Sequence, residues 1–344
     1  MTEDPKDIRR EAPSGAPDAE AISRRNFLVR AARAGIAIAA AGALGYGIYD
    51  GEGPKRESAA GEGATGLPDF SIPGMTGKMS IAHGSDRAKL LQAAIKPLGG
   101  MEAFIRKGDR VLVKVNAAFA TPAVLCATTH PELLSEIVRL CFQAGAASVV
   151  VTDNPINDPE SCFALTGIAE AAKNAGAVVM PPRGQYFQRF TLPGGKLIKD
   201  WPLLRAPFEG VDKVIGAAPL KDHHRSGASM TMKNWYGLLG GRRNVFHQDI
   251  HTIITELAMM VKPSLVILDG VAAMMTNGPT GGSLSDLKPT GMMIAGTDQV
   301  AVDAFGAELL DRSASDLPFL LKAEAAGVGS ANYKALNPFR VDAG

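Results

Sequence analysis

Cysteine is scarce: three residues in 344, Cys126, Cys141 and Cys162, spaced 15 and 21 apart. With no C-x-x-C pair, a disulfide-stapled small domain, a four-cysteine zinc site and a self-contained iron–sulfur cluster are excluded. Charge of one sign is also missing. The 36 Lys+Arg face 35 Asp+Glu, a formal balance of +1, which fits neither a basic nucleic-acid binder nor an acidic disordered chain. No Ser-His-Asp order, nucleophile elbow, Walker loop or G-x-G-x-x-G fingerprint occurs. The apolar uncharged run at residues 34–49 has sixteen Gly/Ala-rich positions, fewer than the ~20 that span a bilayer. No stable membrane span is expected.

Glycine, in contrast, is abundant: 38 residues, about 11% against the usual ~7%, with no collagen-like period. Part of the excess lies near the N-terminus. Residues 1–22 are polar, mixed in charge and broken by Pro5, Pro13 and Pro17, a composition expected to be disordered. Ser23-Arg24-Arg25-Asn26-Phe27-Leu28 follows, then Arg30, Arg33 and the uncharged run. This is the pattern of a twin-arginine signal, a basic n-region before a weakly apolar h-region. Residues 1–49 are therefore read as a signal region and 50–78 as a Gly/Pro-rich linker, with Ser58-Ala59-Ala60 a candidate cleavage site. The expected partner is the twin-arginine translocase. The expected location is periplasmic or extracytoplasmic, reached by the folded protein.

Residues 79–344 read as a single α/β domain. Arg110–Val115 is a short β-branched run, and Thr129-x-x-Glu132 with Pro131 caps a helix that buries Leu134, Ile137, Val138 and Cys141 before Gly145. Ser148–Thr152, a helix from about 162 to 174 and a strand over 177–180 complete a βαβαβ pattern, which predicts a parallel sheet covered on both faces. Gln188–Lys199 reads as a hairpin around Pro193-Gly194-Gly195. Strands are expected at 211–217, 264–269 and 292–295, and helices at 229–239, 247–261, 297–310 and 316–326. The fold class is α/β, a three-layer sandwich with a largely parallel central sheet and a small inserted hairpin.

Ligands of open parallel sheets bind beyond the C-terminal strand ends. Following each strand gives Asn116 with Cys126 and Thr128-Thr129-His130, then Asp153-Asn154. Next come Lys221-Asp222-His223-His224, then Asp269-Gly270 with Asn277-Gly278-Pro279, and finally Gly296-Thr297-Asp298. All five ends are expected at one edge.

These loops, in this order, resemble the domain-of-unknown-function 362 family over roughly residues 80–330. The matching stretches include Val113-Lys114-Val115-Asn116, Leu220-Lys221-Asp222-His223, Met232-Lys233-Asn234-Trp235-Tyr236-Gly237, Asn277-Gly278-Pro279 and Gly296-Thr297-Asp298-Gln299-Val300-Ala301-Val302-Asp303. The resemblance implies a three-layer α/β protein without an agreed activity. Some members carry a ferredoxin-type module, which the cysteine spacing here cannot supply.

The expected site is lined by Lys114, Asn116, His130, Asp153, Lys221, His223, Lys233, Asn234, Asn277, Asp298 and Asp303. Lys221 and Lys233 would hold a small anionic organic molecule, and His223 or His130 would serve as acid/base. The cofactor is unknown. A divalent metal is the candidate, with His223 and the i, i+4 pair His247 and His251 as ligands, unless the pair only packs. Lys114, inside an apolar strand, needs a partner, for which Asp153 or Asp269 are the candidates. Cys126 and Cys162 are left as a disulfide, a thiolate or two unpaired thiols. The alternative to an enzyme is a non-catalytic extracytoplasmic binding or maturation partner of a redox enzyme.

Overall fold

Alternation of side chains along the central strands decides the architecture. In the computed structural model, which describes residues 66–344, Ile215, Ile267 and Met293 face one apolar core while their neighbours Val214, Leu268 and Ile294 face another. A sheet apolar on both faces must be covered on both. The first face receives α1 (Arg87–Ile95), α2 (Pro131–Gln143), α3 (Pro159–Leu165) and α4 (Ile168–Asn174). The second receives α5 (Thr231–Asn234), α6 (Ile250–Met260), α7 (Gln299–Leu309) and α8 (Pro318–Ala325). The protein is a three-layer α/β sandwich.

The strands are β1 (Met79–His83), β2 (Arg110–Lys114), β3 (Ser148–Thr152), β4 (Val178–Val179), β5 (Phe187–Phe190), β6 (Trp201–Leu204), β7 (Lys213–His223), β8 (Gly227–Ser229), β9 (Leu265–Met274), β10 (Leu287–Gly296) and β11 (Phe339–Asp342). The sheet order is β11-β1-β10-β9-β7-β2-β3-β4, with β8 alongside β7. From β9 to β4 every neighbouring pair is parallel. β5 and β6 form a separate antiparallel pair, the inserted hairpin, with its strands flanking the Pro193-Gly194-Gly195 turn.

Two expectations change, and one open alternative is narrowed. β10 runs antiparallel to both β9 and β1. It follows β9 through a twelve-residue loop (275–286) whose only helical element is the short 3₁₀ turn Leu284–Asp286, whereas a parallel return usually requires a helical crossover. Residues 67–78 are not wholly linker: Phe70 is buried, its N–H donates to the Lys262 carbonyl at 3.0 Å, and Ser264 Oγ donates to its carbonyl at 2.6 Å. All three cysteines are free and buried, so Cys126 and Cys162 form no disulfide. The twin-arginine pattern and residues 1–49 lie outside the described residues. Among the described residues no helix is long and apolar enough to cross a membrane.

Candidate functional site

At the C-terminal edge, the ends of β2, β3 and β7 converge with α5 and the loop after β9 on a cavity of about 290 Å³. Lys114 ends β2 and Asn116 follows it, Asp153 and Asn154 follow β3, and Lys221 and His223 belong to β7. α5 supplies Lys233 and Asn234, and Tyr236 and Gly237 follow it. His247 and Arg243 come from the 3₁₀ segment Arg243–Asp249, and Pro279 with Thr280 closes one side.

The floor is a saturated polar knot. Lys114, buried inside the apolar sheet, lies 2.8 Å from Asp153 Oδ1 and donates to Val115 O at 2.6 Å, Asn234 O at 2.7 Å and Asn234 Oδ1 at 3.0 Å. Of the two proposed counter-ions, Asp153 is therefore the partner; Asp269 pairs with Arg87 at 2.8 Å. Burial pulls the Lys114 ammonium down, against the Asp153 charge. Asp153 also accepts from Ala117 N at 2.6 Å and Asn154 N at 2.9 Å. Asn234 Nδ2 closes the knot by donating to the Lys114 and Ala217 carbonyls, each at 3.2 Å. Gly237 has no Cβ because one would sit on Asp153 Oδ1 and within 2.9 Å of Lys114 Nζ. That close approach accounts for the glycine in Lys233-Asn234-Trp235-Tyr236-Gly237.

The walls are cationic and under-neutralised. Arg243 is committed to backbone: it donates to the carbonyls of Leu239 (3.0 Å), Tyr236 (3.4 Å), Asn154 (2.7 Å) and Pro155 (2.9 Å), clasping two loops together. Lys221 donates to the Ala127 carbonyl, lies 3.5 Å from Asn116 Oδ1 and stands 5.2 Å from the centre of the Phe119 ring. The Lys233 side chain makes no hydrogen bond or ion pair among the described residues; its ammonium lies 5.0 Å from the centre of the Tyr236 ring. Asp153 is the one carboxylate among the described residues lining the cavity, and Lys114 occupies it. Burial therefore pushes both remaining lysines down to about 7, Lys221 with added repulsion from Lys233, and Lys233 with added repulsion from Arg243 and Lys114.

Hydrogen-bond partners assign the histidine tautomers. His223 Nδ1 accepts from the N–H groups of Arg225 (3.2 Å) and Ser226 (3.3 Å), so its proton sits on Nε2. Burial and then the Lys233 charge push its pKa down to about 2. His223 is a neutral donor. His247 is the reverse. Tyr236 Oη gives its own proton to the Arg243 carbonyl, so His247 Nδ1 donates to Tyr236 Oη (3.1 Å) and Asn244 O (3.2 Å), leaving Nε2 bare. Burial, reinforced by Lys233, keeps this ring neutral too. The His223 ring stacks on His224 at 4.9 Å and on His247 at 5.8 Å.

A divalent metal does not fit the expected trio. A metal on His223 Nε2 would displace its proton onto Nδ1, where two backbone N–H groups already point. His247 belongs to the 3₁₀ segment and His251 to α6, so they do not share one helical face; His251 stacks on Phe319 at 6.1 Å. Among the described residues no group of three or more His, Cys, Asp or Glu is arranged to hold a metal ion.

Eight of the expected residues thus line one cavity: Lys114, Asn116, Asp153, Lys221, His223, Lys233, Asn234 and His247. The others do not. Because β10 is antiparallel, Asp298 lies at the opposite edge, where it caps α7 by accepting from Val300 N and Ala301 N at 2.9 Å each. Asp303 is fully buried and accepts from Thr231 N (2.9 Å), Thr231 Oγ1 (2.6 Å) and Met232 N (3.0 Å), fixing the start of α5 from below. Burial pushes its carboxyl up to about 7 against these donors. Asn277 donates to Asp286 at 2.6 Å, holding the loop that presents Pro279. His130 caps α2, accepting from Glu132 N at 3.3 Å, beside Arg87 and Asp269 rather than the lysines. Sequence reasoning overlooked Arg243, Tyr236 and Phe119 as cavity residues. For Tyr236 the signal was its position three residues after Lys233; nothing in the sequence marked the other two.

Fold and cavity define a three-layer α/β protein with a cavity lined by cationic side chains at its C-terminal strand edge. The model of the domain of unknown function DUF362 matches residues 111–308, more than half of the chain, and the chain belongs to that family. It is similar to a thylakoid-associated protein of Synechocystis sp., 27% identical over 256 residues, 69% of this chain and 74% of that one. Among solved structures it is similar to the lactate racemase apoprotein of Thermoanaerobacterium thermosaccharolyticum (TM-score 0.37, 14% identity, 71% of this chain and 58% of that one). It is also similar to a Thermotoga maritima protein solved by structural genomics (TM-score 0.37, 13% identity, 68% and 60%). The chain thus spans about three fifths of each of those two structures.

Proposed function

We propose that the protein is an enzyme acting on a small anionic organic molecule. Lys221 and Lys233 hold the anion, His223 donates a hydrogen bond through Nε2, and His247 Nε2 accepts a proton. One observation carries this reading: two lysines face a cavity whose lone carboxylate is already paired. Burying cationic groups without counter-charge is costly, and an arriving carboxylate or phosphate removes that cost. The volume of about 290 Å³ lies at the small end of the ~300–1,000 Å³ typical of ligand pockets, which favours a compact metabolite. Calorimetric titration with oxalate, pyruvate, succinate and inorganic phosphate at pH 6 tests the site. Binding of at least one, weakened tenfold or more by Lys221→Met, is expected; no binding by any of the four overturns the proposal.

The twin-arginine pattern supports export of the folded protein to the extracytoplasmic side. Replacing Arg24 and Arg25 together by lysine should leave the chain in the cytoplasmic fraction, and an unchanged distribution would overturn this assignment.

A further inference from the structure

We propose that Lys233 is a nucleophile that forms an imine with the carbonyl carbon of a 2-oxo acid. This rests on the anionic-substrate reading and adds a covalent step to it. Four cationic side chains line the cavity, and three are engaged. Lys114 is held by Asp153 and Asn234, Arg243 by four backbone carbonyls, and Lys221 by the Ala127 carbonyl. Lys233 alone has only an aromatic ring, that of Tyr236. A pure anion clamp would keep its ammonium charged by giving it a carboxylate or carbonyl neighbour. Here its neighbours are other cations, the arrangement that activates an amine by keeping part of it unprotonated at neutral pH. The value near 7 agrees with that arrangement.

The remaining groups match what a carbonyl would need. Lys221 is placed to take the carboxylate. The Nε2–H of His223 can bond the carbonyl oxygen, polarising the carbon, and the bare Nε2 of His247 can receive a proton from the nitrogen. The Tyr236 face under Lys233 suits the cationic iminium. In the reaction the Lys233 lone pair forms the C–N bond while the carbonyl π pair moves onto oxygen, which the neutral His223 steadies by a hydrogen bond without giving up its proton. One proton passes from the nitrogen through His247 to that oxygen, a second from the solvent lets the oxygen leave as water while the nitrogen lone pair forms the C=N bond, and the resulting iminium can return its N–H proton to the solvent. One amine and one carbonyl give one imine and one water, with no change of oxidation state and no further reactant.

The test uses the purified full chain with pyruvate, glyoxylate or 2-oxoglutarate in the presence of sodium cyanoborohydride, read by intact mass and peptide mapping. One equivalent of reduced adduct on Lys233 is expected with at least one probe, at an initial rate that rises as pH increases through about 7. Lys233→Arg should slow trapping at least a hundredfold, and oxalate, which has no ketone or aldehyde carbonyl, is titrated into the wild-type chain to report the anion site alone. If oxalate binds but no adduct forms, or the adduct maps to Lys221 or another lysine, the imine proposal fails and the anion site stands. If neither oxalate nor any oxo acid binds, both fail. Thermal melts of Lys233→Arg confirm that it is folded.

Discussion

Lys114 and Lys233 face the same cavity, and their surroundings could hardly differ more. Lys114 has a carboxylate at 2.8 Å, three oxygen acceptors from Val115 and Asn234, and a glycine backbone laid against it. Lys233 has an aromatic ring and the repulsion of Arg243 and Lys114. The first is a structural ion pair, stabilising because every proton finds an acceptor. The second is a charge held in reserve, destabilising until a ligand arrives. One residue type thus does opposite work within a single cavity, and the carboxylate of Asp153 separates the two roles.

That contrast can be broken from the structural side first. Asp153→Ala strands the Lys114 ammonium in the sheet interior and should cost about 3–5 kcal/mol, measured by denaturant unfolding; a loss under 1 kcal/mol would mean that Lys114 is not held as described. The functional side is next. Lys221 and Lys233, each near 7, must be protonated to hold an anion, so oxalate affinity should fall about ten- to hundredfold between pH 6 and 8; a flat profile would remove them from the binding site. Lys233→Met should stabilise the unliganded protein by about 1–2 kcal/mol at neutral pH. The sign follows from linkage. The unfolded lysine, near 10.5, binds a proton that the folded one, near 7, releases, so wild-type stability rises with pH between those values. The advantage of the variant should accordingly shrink above pH 7, and melts at pH 6.5 and 9 check this. Smallest is His251→Ala, which loses a stack on Phe319 worth about 1 kcal/mol or less and should leave anion affinity unchanged.

Much of this site was legible because strand ends are legible. A lysine in a β-branched run, followed by Asn116, and an aspartate ending the next strand point to one edge once the βαβ pattern is recognised. Asp298 was misassigned for the same reason: its strand-then-cap pattern looks like the others. Only the missing helix between β9 and β10 signals that the direction reverses. Asp303 is read from sequence as a lining residue of the site, whereas its role in anchoring α5 depends on a packing of α7 that no local pattern reveals. The opposed tautomers of His223 and His247 are tertiary facts, set by the Arg225 and Ser226 amides on one side and Tyr236 on the other. Spacing four residues apart suggested a His247–His251 clamp, but a 3₁₀ segment ends at Asp249 and turns the two rings to different neighbours.

The bare α-carbon of Gly237 has a consequence for how this cavity changes over generations. Any side chain there collides with Asp153 before it meets anything else, so no single substitution at 237 is tolerable while the pair beneath it persists. Conversely, once Lys114 and Asp153 are replaced by smaller apolar residues, the constraint on 237 is relieved. The three positions therefore form a ratchet: drift must take the pair first and the glycine second, and a lineage that has lost the glycine has no simple step back to the charged floor.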